Sequence, residues 1–231
     1  MGTDIRTNVS RVLENIEKAA SRAGRRPESI KLVAVSKTVD PGQINTVLEA
    51  GIQHLGENRV QEGLAKKPHL SAHRFTYHLI GPLQTNKVNR AIETFDWIQT
   101  VDSLELAVKI NQACERSGKR MPVLIEVNQG RESSKSGVFE ENLGRLIDQA
   151  SLFRNLSFRG LMSVPPYVEE PEAARPYFAR LRQIAEAFTG LSSENISMVE
   201  LSMGMSHDYQ VAIEEGATIV RVGTAIFGPR N

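Results

Sequence analysis

Cys114 is the only cysteine in 231 residues, which excludes an intramolecular disulfide and a cysteine-based zinc site. Net charge is nearly absent as well. The 28 Lys+Arg stand against 27 Asp+Glu, so electrostatics gives no case for nucleic-acid or membrane-surface partners. No apolar run approaches the roughly 18 residues of a membrane span. Residues 1–10 are polar and lack an apolar h-region, so no secretory signal is expected. Arg6 stands where Ser or Thr would be needed for myristoylation after Gly2. The five histidines form no His-Glu-x-x-His zinc helix, and neither a Walker loop nor G-x-G-x-x-G occurs. What is present is ordinary globular material, 40% hydrophobic and 24% charged, with no linker or low-complexity tract. A cytoplasmic protein with residues 1–231 in one domain is expected.

Hydrophobic periodicity organises that domain. Ile5, Val9, Val12, Leu13, Ile16 and Ala20 recur at helical spacing, and Gly24 with Pro27 closes the segment. Short apolar runs follow at residues 32–36, 54–57, 77–81, 97–101, 123–127, 158–162, 198–202 and 219–223. Their length and their Val and Ile content suit buried parallel strands. Seven amphipathic stretches lie between them, at 41–51, 60–70, 85–95, 103–118, 139–151, 171–188 and 206–216. Gly51, Gly118 and Gly216 each stand just before a strand, as αβ loops require. Eight strands in strict alternation with helices predict a single-domain (β/α)8 TIM-type barrel with an N-terminal helix. A doubly wound open sheet is the structural alternative.

In such a barrel, function belongs to the residues just past the C-terminal end of each strand. These are Lys37, Glu57 and Asn58, Gly81, Asp102, Asn128, Ser163, Ser202 to Gly204, and Gly223 with Thr224. Asp102 and Ser103 read as helix caps. By period-2 alternation Lys37 shares a face with Val33 and Val35. If that face is interior, partial desolvation lowers the lysine pKa and frees the amine to attack a carbonyl; otherwise the side chain snorkels to solvent. Arg221 lies inside the last strand and must find an anion or an acceptor, either a buried carboxylate such as Glu200 or Glu126, or a ligand. The segments Ser202-Met203-Gly204-Met205-Ser206 and Gly223-Thr224-Ala225-Ile226-Phe227-Gly228 follow the last two strands, where barrels often bind phosphate, and the hydroxyls of Ser202 and Thr224 add donors. A phosphate at one end and a carbonyl at the other describe pyridoxal 5'-phosphate (PLP), and equally a sugar-phosphate substrate of an aldolase.

Eight blocks in order carry a more specific signal. Ala34-Val35-Ser36-Lys37-Thr38, Gly56-Glu57-Asn58-Arg59-Val60-Gln61-Glu62 and His78-Leu79-Ile80-Gly81-Pro82-Leu83-Gln84-Thr85-Asn86-Lys87 come first. Val127-Asn128, Ser134-Lys135-Ser136-Gly137, Gly160-Leu161-Met162, Leu201-Ser202-Met203-Gly204-Met205-Ser206 and Val220-Arg221-Val222-Gly223-Thr224-Ala225-Ile226-Phe227-Gly228 complete the set. With them the chain resembles the pyridoxal phosphate homeostasis proteins (the YggS/PROSC family) from about residue 5 onward. The resemblance implies a barrel like the N-terminal domain of alanine racemase, with PLP on Lys37 as a Schiff base and Arg221 near the ring nitrogen. It also implies phosphate contacts from Ser202, Met203, Gly204, Gly223 and Thr224, and a ring lined by Asn58 and Met162. Gln129 departs from the family pattern, which favours a small or β-branched residue there. Lys135 reads as a solvated lysine or as a second, transient PLP contact.

A carrier is expected over an enzyme. PLP racemisation needs two acid–base groups on opposite faces, and the β-domain tyrosine that racemases use is not encoded after Gly228. Tyr77 and His78 are weak substitutes. A guanidinium cannot realistically give up a proton, so Arg221 would leave the ring nitrogen unprotonated and weaken the ring as an electron sink, which racemases tolerate and transaminases would not be expected to. The expected role is therefore PLP storage, delivery or buffering by a monomer, with effects on amino-acid and keto-acid pools and with PLP-dependent apo-enzymes as recipients. A PLP-dependent racemase and a PLP-responsive regulatory interaction protein are the alternatives.

Overall fold

The computed structural model describes residues 4–71, 74–132, 136–188, 190 and 194–229. Eight parallel strands close into a barrel in sequence order: β1 (Lys31–Val35), β2 (His54–Glu57), β3 (Thr76–Leu79), β4 (Trp97–Val101), β5 (Met121–Val127), β6 (Leu156–Ser163), β7 (Ile196–Met205) and β8 (Ile219–Val222). Closure is made by β1 against β8, with Val33 opposite Arg221. That pairing settles the fold in favour of the barrel over the open sheet.

The helices are α1 (Ile5–Arg22), α2 (Pro41–Glu49), α3 (Val60–Lys66), α4 (Val88–Thr94), α5 (Leu104–Ser117), α6 (Glu140–Ala150), α7 (Arg175–Glu186), α8 (Tyr209–Glu214) and α9 (Thr224–Phe227). Local chemistry explains several of their ends. Asp4 accepts from the N–H groups of Arg6 and Thr7 at the start of α1. Ser103 accepts from Leu106 N–H at the start of α5, and Gly118 closes that helix in the left-handed region, φ 63°.

Strand alternation separates two apolar regions. Leu32, Ala34, Leu55, Leu79 and Ile125 face outward into the large core beneath the helices. Val33, Leu124, Met162 and Ile219 face inward and form a small separate cluster inside the barrel. Both faces of each strand are thus buried, which is why the strands read as continuous apolar runs.

Most strands differ from the sequence reading by a residue or two, and two C-terminal ends differ most. β3 stops at Leu79 rather than Gly81, because Gly81 turns away beside Asn58; a Cβ there would lie 2.3 Å from the Asn58 carbonyl oxygen. β7 runs on to Met205, so Ser202-Met203-Gly204 is strand rather than loop. Between Ser202↔Ile219 and Met205↔Arg221 the register shifts, β7 taking three steps where β8 takes two. Gly204 supplies the shift with φ 88°, where an added Cβ would sit 2.5 Å from that of Ala212.

Candidate functional site

The rim of β1 is anchored from outside the barrel. Ser36 donates its hydroxyl to Glu57 Oε1 at 2.7 Å, and Lys66 Nζ donates both to that oxygen (2.9 Å) and to the Ser36 carbonyl (2.8 Å). One turn on, Thr38 N–H donates to Glu62 Oε2 at 3.0 Å, with Thr38 at φ 61°. Burial raises the Glu57 carboxyl while its bonds from Lys66 and Ser36 oppose that rise. Lys37, half-buried, stands between these two anchored residues in the turn two residues past the end of β1.

Across the closing seam, Arg221 is buried on the inner face of β8. Its Nη1 donates to Ser202 Oγ at 2.6 Å and its Nη2 to the Ser163 carbonyl, the last residue of β6, at 2.8 Å. Neither Glu126 nor Glu200 bonds it. Glu200 is taken by Lys31 (2.6 Å) and Thr218 (2.7 Å), both at the opposite end of the barrel. Two of the five guanidinium donors are therefore used among the described residues. Burial pulls the Arg221 pKa down to about 10, opposed by Glu126 and Asp208, so the group stays charged at neutral pH.

The third element gathers where β7 and β8 end. The N–H groups of Gly223 and Ala225 converge on Ser206 Oγ at 3.0 and 3.3 Å. Asp208 Oδ1 holds the β7 end through Met205 N–H at 2.7 Å. Ser202 does not reach these donors, since its hydroxyl accepts from Arg221 and donates to Gln99 Oε1 at 2.6 Å. Thr224 is exposed at the first position of α9. The Met203 side chain packs in the outer core, leaving only its backbone toward this end.

On the β2-to-β6 side of the mouth lies a cavity of about 290 Å³ lined by Asn58, Gly81, Pro82, Glu126, Asn128 and Val164, among others; Ser206, Thr224 and Ala225 line a separate one. Met162 belongs to the interior cluster beneath it. Glu126 Oε2 is buried with no hydrogen-bond partner among the described residues. Burial, reinforced by Asp102 and opposed by Arg221, pushes the Glu126 carboxyl up to about 7.

Lys37, Asn58, Met162, Arg221, Gly223 and Thr224 thus gather at the C-terminal half of the barrel, each at or just inside a strand end. Lys135 lies outside the described residues. Tyr77 turns its ring into the outer core against Phe75 and Phe95, and His78 is buried below the mouth, so neither stands where a second acid–base group would act. Gln129 is absorbed structurally. It accepts from the Ser163 hydroxyl at 2.5 Å and donates to the Tyr177 carbonyl at 2.8 Å, tying β6 to α7. Sequence reasoning passed over Gln99, named Ser206 only as the end of the loop after the seventh strand, and weighed Glu126 only as a partner for Arg221. Inward parity on β4 and β5 is the signal that marks Gln99 and Glu126.

The site fits PLP on these observations: an amine at the rim, a buried all-donor cation across the seam, and two converging backbone N–H groups beyond it. By fold and site, this is a barrel of the alanine racemase N-terminal type. The family model described as "Alanine racemase, N-terminal domain" matches residues 7–231. The pyridoxal phosphate homeostasis protein of Aquifex aeolicus is 46% identical over 223 residues, covering 96% of this chain and 97% of that protein. The structure of PipY from Synechococcus elongatus with PLP bound superposes with a TM-score of 0.81 at 36% identity, covering 93% of this chain and all of that one (100%). Alanine racemase of Clostridium difficile in complex with cycloserine shares the fold, with a TM-score of 0.72 at 18% identity; 97% of this chain matches 60% of that one. The chain belongs to the family of pyridoxal phosphate homeostasis proteins.

Proposed function

We propose that this chain binds PLP at the C-terminal mouth of the barrel and acts in the homeostasis of that cofactor, storing, delivering or buffering it. The single observation that carries the reading is that β1, which Lys37 follows by two residues, pairs with β8, which holds Arg221. Lys37 would hold the cofactor through its side-chain amine, and the bound group would supply the aldehyde that this amine reacts with. Arg221 keeps donors for the pyridine nitrogen beyond the two bonds that anchor it. The N–H groups of Gly223 and Ala225, with Ser206 and Thr224, receive the phosphate. Gly204 and the Met203 backbone shape that end. Asn58 borders the ring and Met162 forms its floor.

A buried guanidinium donates hydrogen bonds but does not protonate the ring nitrogen, so the site holds PLP without strengthening its electron sink. That argues against transaminase-type chemistry, and relatives of nearly equal length that are named for homeostasis favour a carrier over a racemase. In this reading the protein works in the cytoplasm as a monomer and passes cofactor to PLP-dependent apo-enzymes; sedimentation at working concentration checks the monomer. The absorbance spectrum tests the site. Purified protein mixed with PLP should show an imine band that Lys37→Ala abolishes, with no stereospecific turnover of an amino-acid panel. A band that survives Lys37→Ala overturns the site, and robust turnover overturns the role.

A further inference from the structure

Below Arg221, polar side chains continue down the middle of the barrel, a place where layers of aliphatic residues are usual. Ser202 Oγ donates to Gln99 Oε1 at 2.6 Å, Gln99 Nε2 meets His78 Nδ1 at 3.0 Å, and His78 Nε2 meets His54 Nδ1 at 3.1 Å. Five strands, β2, β3, β4, β7 and β8, contribute one member each, and Arg221, Ser202, Gln99 and His78 are all buried. We infer that Gln99 and His78 are positioning residues for Arg221, acting through Ser202 to set where the guanidinium sits. The inference rests on the reading that Arg221 faces the ring nitrogen of PLP.

The polarity of this chain follows from one fact: a guanidinium only donates. Ser202 accepts from Arg221, so its own proton must go elsewhere, and Gln99 Oε1 takes it. That fixes the amide, whose NH2 then points at His78 Nδ1 and requires a lone pair there. His78 must therefore be neutral with its proton on Nε2, and it donates to His54 Nδ1. Burial lowers both histidine pKa values, with Lys31 pushing the same way and Glu200 opposing at His54. Trp97 packs against the His78 ring at 5.5 Å between centroids and holds its plane.

An amide passes no proton along such a chain, so it transmits orientation rather than charge. If Gln99 cannot accept, the Ser202 hydroxyl is free to rotate its proton toward Arg221. The guanidinium is then left with the Ser163 carbonyl as its one anchor among the described residues.

Three variants and one measurement without ligand separate positioning from mere packing. Gln99→Leu and His78→Leu keep volume and remove the hydrogen bonds. His78→Asn restores an acceptor near the position of Nδ1. PLP titration should show the two leucine variants binding about tenfold more weakly, one charge-assisted hydrogen bond's worth, with the pH midpoint of the imine band displaced. His78→Asn should recover most of that loss, whereas a packing role predicts the leucine variant to be the better of the pair. Nitrogen NMR of 15N-histidine-labelled, ligand-free protein should show His78 neutral and protonated on Nε2 at pH 7.

Native affinity and native midpoint in both leucine variants overturn the inference. So does His78→Asn falling as far as His78→Leu, or a His78 that is charged or carries its proton on Nδ1. Should a leucine variant fail to fold, His78→Asn and the NMR spectrum still decide. If native protein shows no imine band, the proposed function fails instead, and the NMR result stands apart from that failure.

Discussion

Glu126 is the residue whose placement has the most direct consequence in solution. Its carboxyl is pushed up to about 7 by burial, with Asp102 adding to the rise and Arg221 opposing it. A carboxyl whose folded pKa exceeds its unfolded value favours the native state while it is protonated. That contribution is complete below the unfolded value of 4.5 and is lost as pH rises through about 7. Ligand-free Glu126→Gln should therefore match the parent near pH 4.5 and exceed it by roughly 2–3 kcal/mol at pH 8. Urea denaturation at several pH values measures this, and a constant difference would contradict it. Arg221 was legible in the sequence because strand parity puts it on the inner face; Lys37 was legible as a residue just past the β1 end, where the chain turns. Glu57 and Lys66 were not legible as a pair. Nine residues apart on a strand and the helix after it, they meet only because α3 folds back over the β2 end, and their bonds then hold Ser36 beside Lys37.

At the scale of elements, β4 had its observed bounds in the apolar pattern alone, and so did β2. β7 did not, because Ser202, Gly204 and Ser206 read as loop residues while the strand absorbs the first two through a register shift. Gly204 is the pivot of that shift. Gly204→Ala imposes a left-handed φ of 88° on a residue with a side chain and drives its Cβ to 2.5 Å from that of Ala212 and 2.9 Å from Tyr209 Cα. A loss of about 2–4 kcal/mol is expected in denaturant unfolding. PLP affinity should fall with it, since the same bend sets Ser206 against Gly223 and Ala225. Retained affinity in a destabilised variant would detach this bend from the phosphate end. Helix starts were also imperfectly legible. The stretches at 85–95 and 171–188 open with 3-10 turns, Thr85–Lys87 and Pro171–Ala174, because amphipathic spacing does not distinguish a tight first turn from an α-helical one.

Across the whole molecule, charged side chains tie α1, α7 and α8 together over the outside of the seam strands. Arg175 bridges Glu172, Glu214 and Glu215; Arg22 reaches Glu214, and Arg182 reaches Glu215. Each partner is partly exposed, so a single pair would contribute little, but the shared partners make a network. Arg175→Met should cost about 1–2 kcal/mol at low salt and much less in 1 M salt. Side-chain bonds from Arg175 depress the Glu214 pKa, so the network's contribution is present above the unfolded carboxylate value and is lost as pH falls through the depressed one. Thermal unfolding at two salt concentrations checks the first statement, and a salt-independent loss would count against it.

By itself the sequence determined the alternation of eight strands with helices, the inward parity of Arg221, and eight motif blocks specific enough to point to a family. These are local properties: side-chain periodicity follows from backbone geometry, and motif identity follows from residue order. Only the tertiary structure decided that β1 pairs with β8, that Ser202 turns inward while Ser206 meets the backbone donors, and that Gln99, His78 and His54 line up beneath Arg221. Those relations join residues as far apart as Gln99 and Ser202, and only closure of the barrel brings their side chains to one axis.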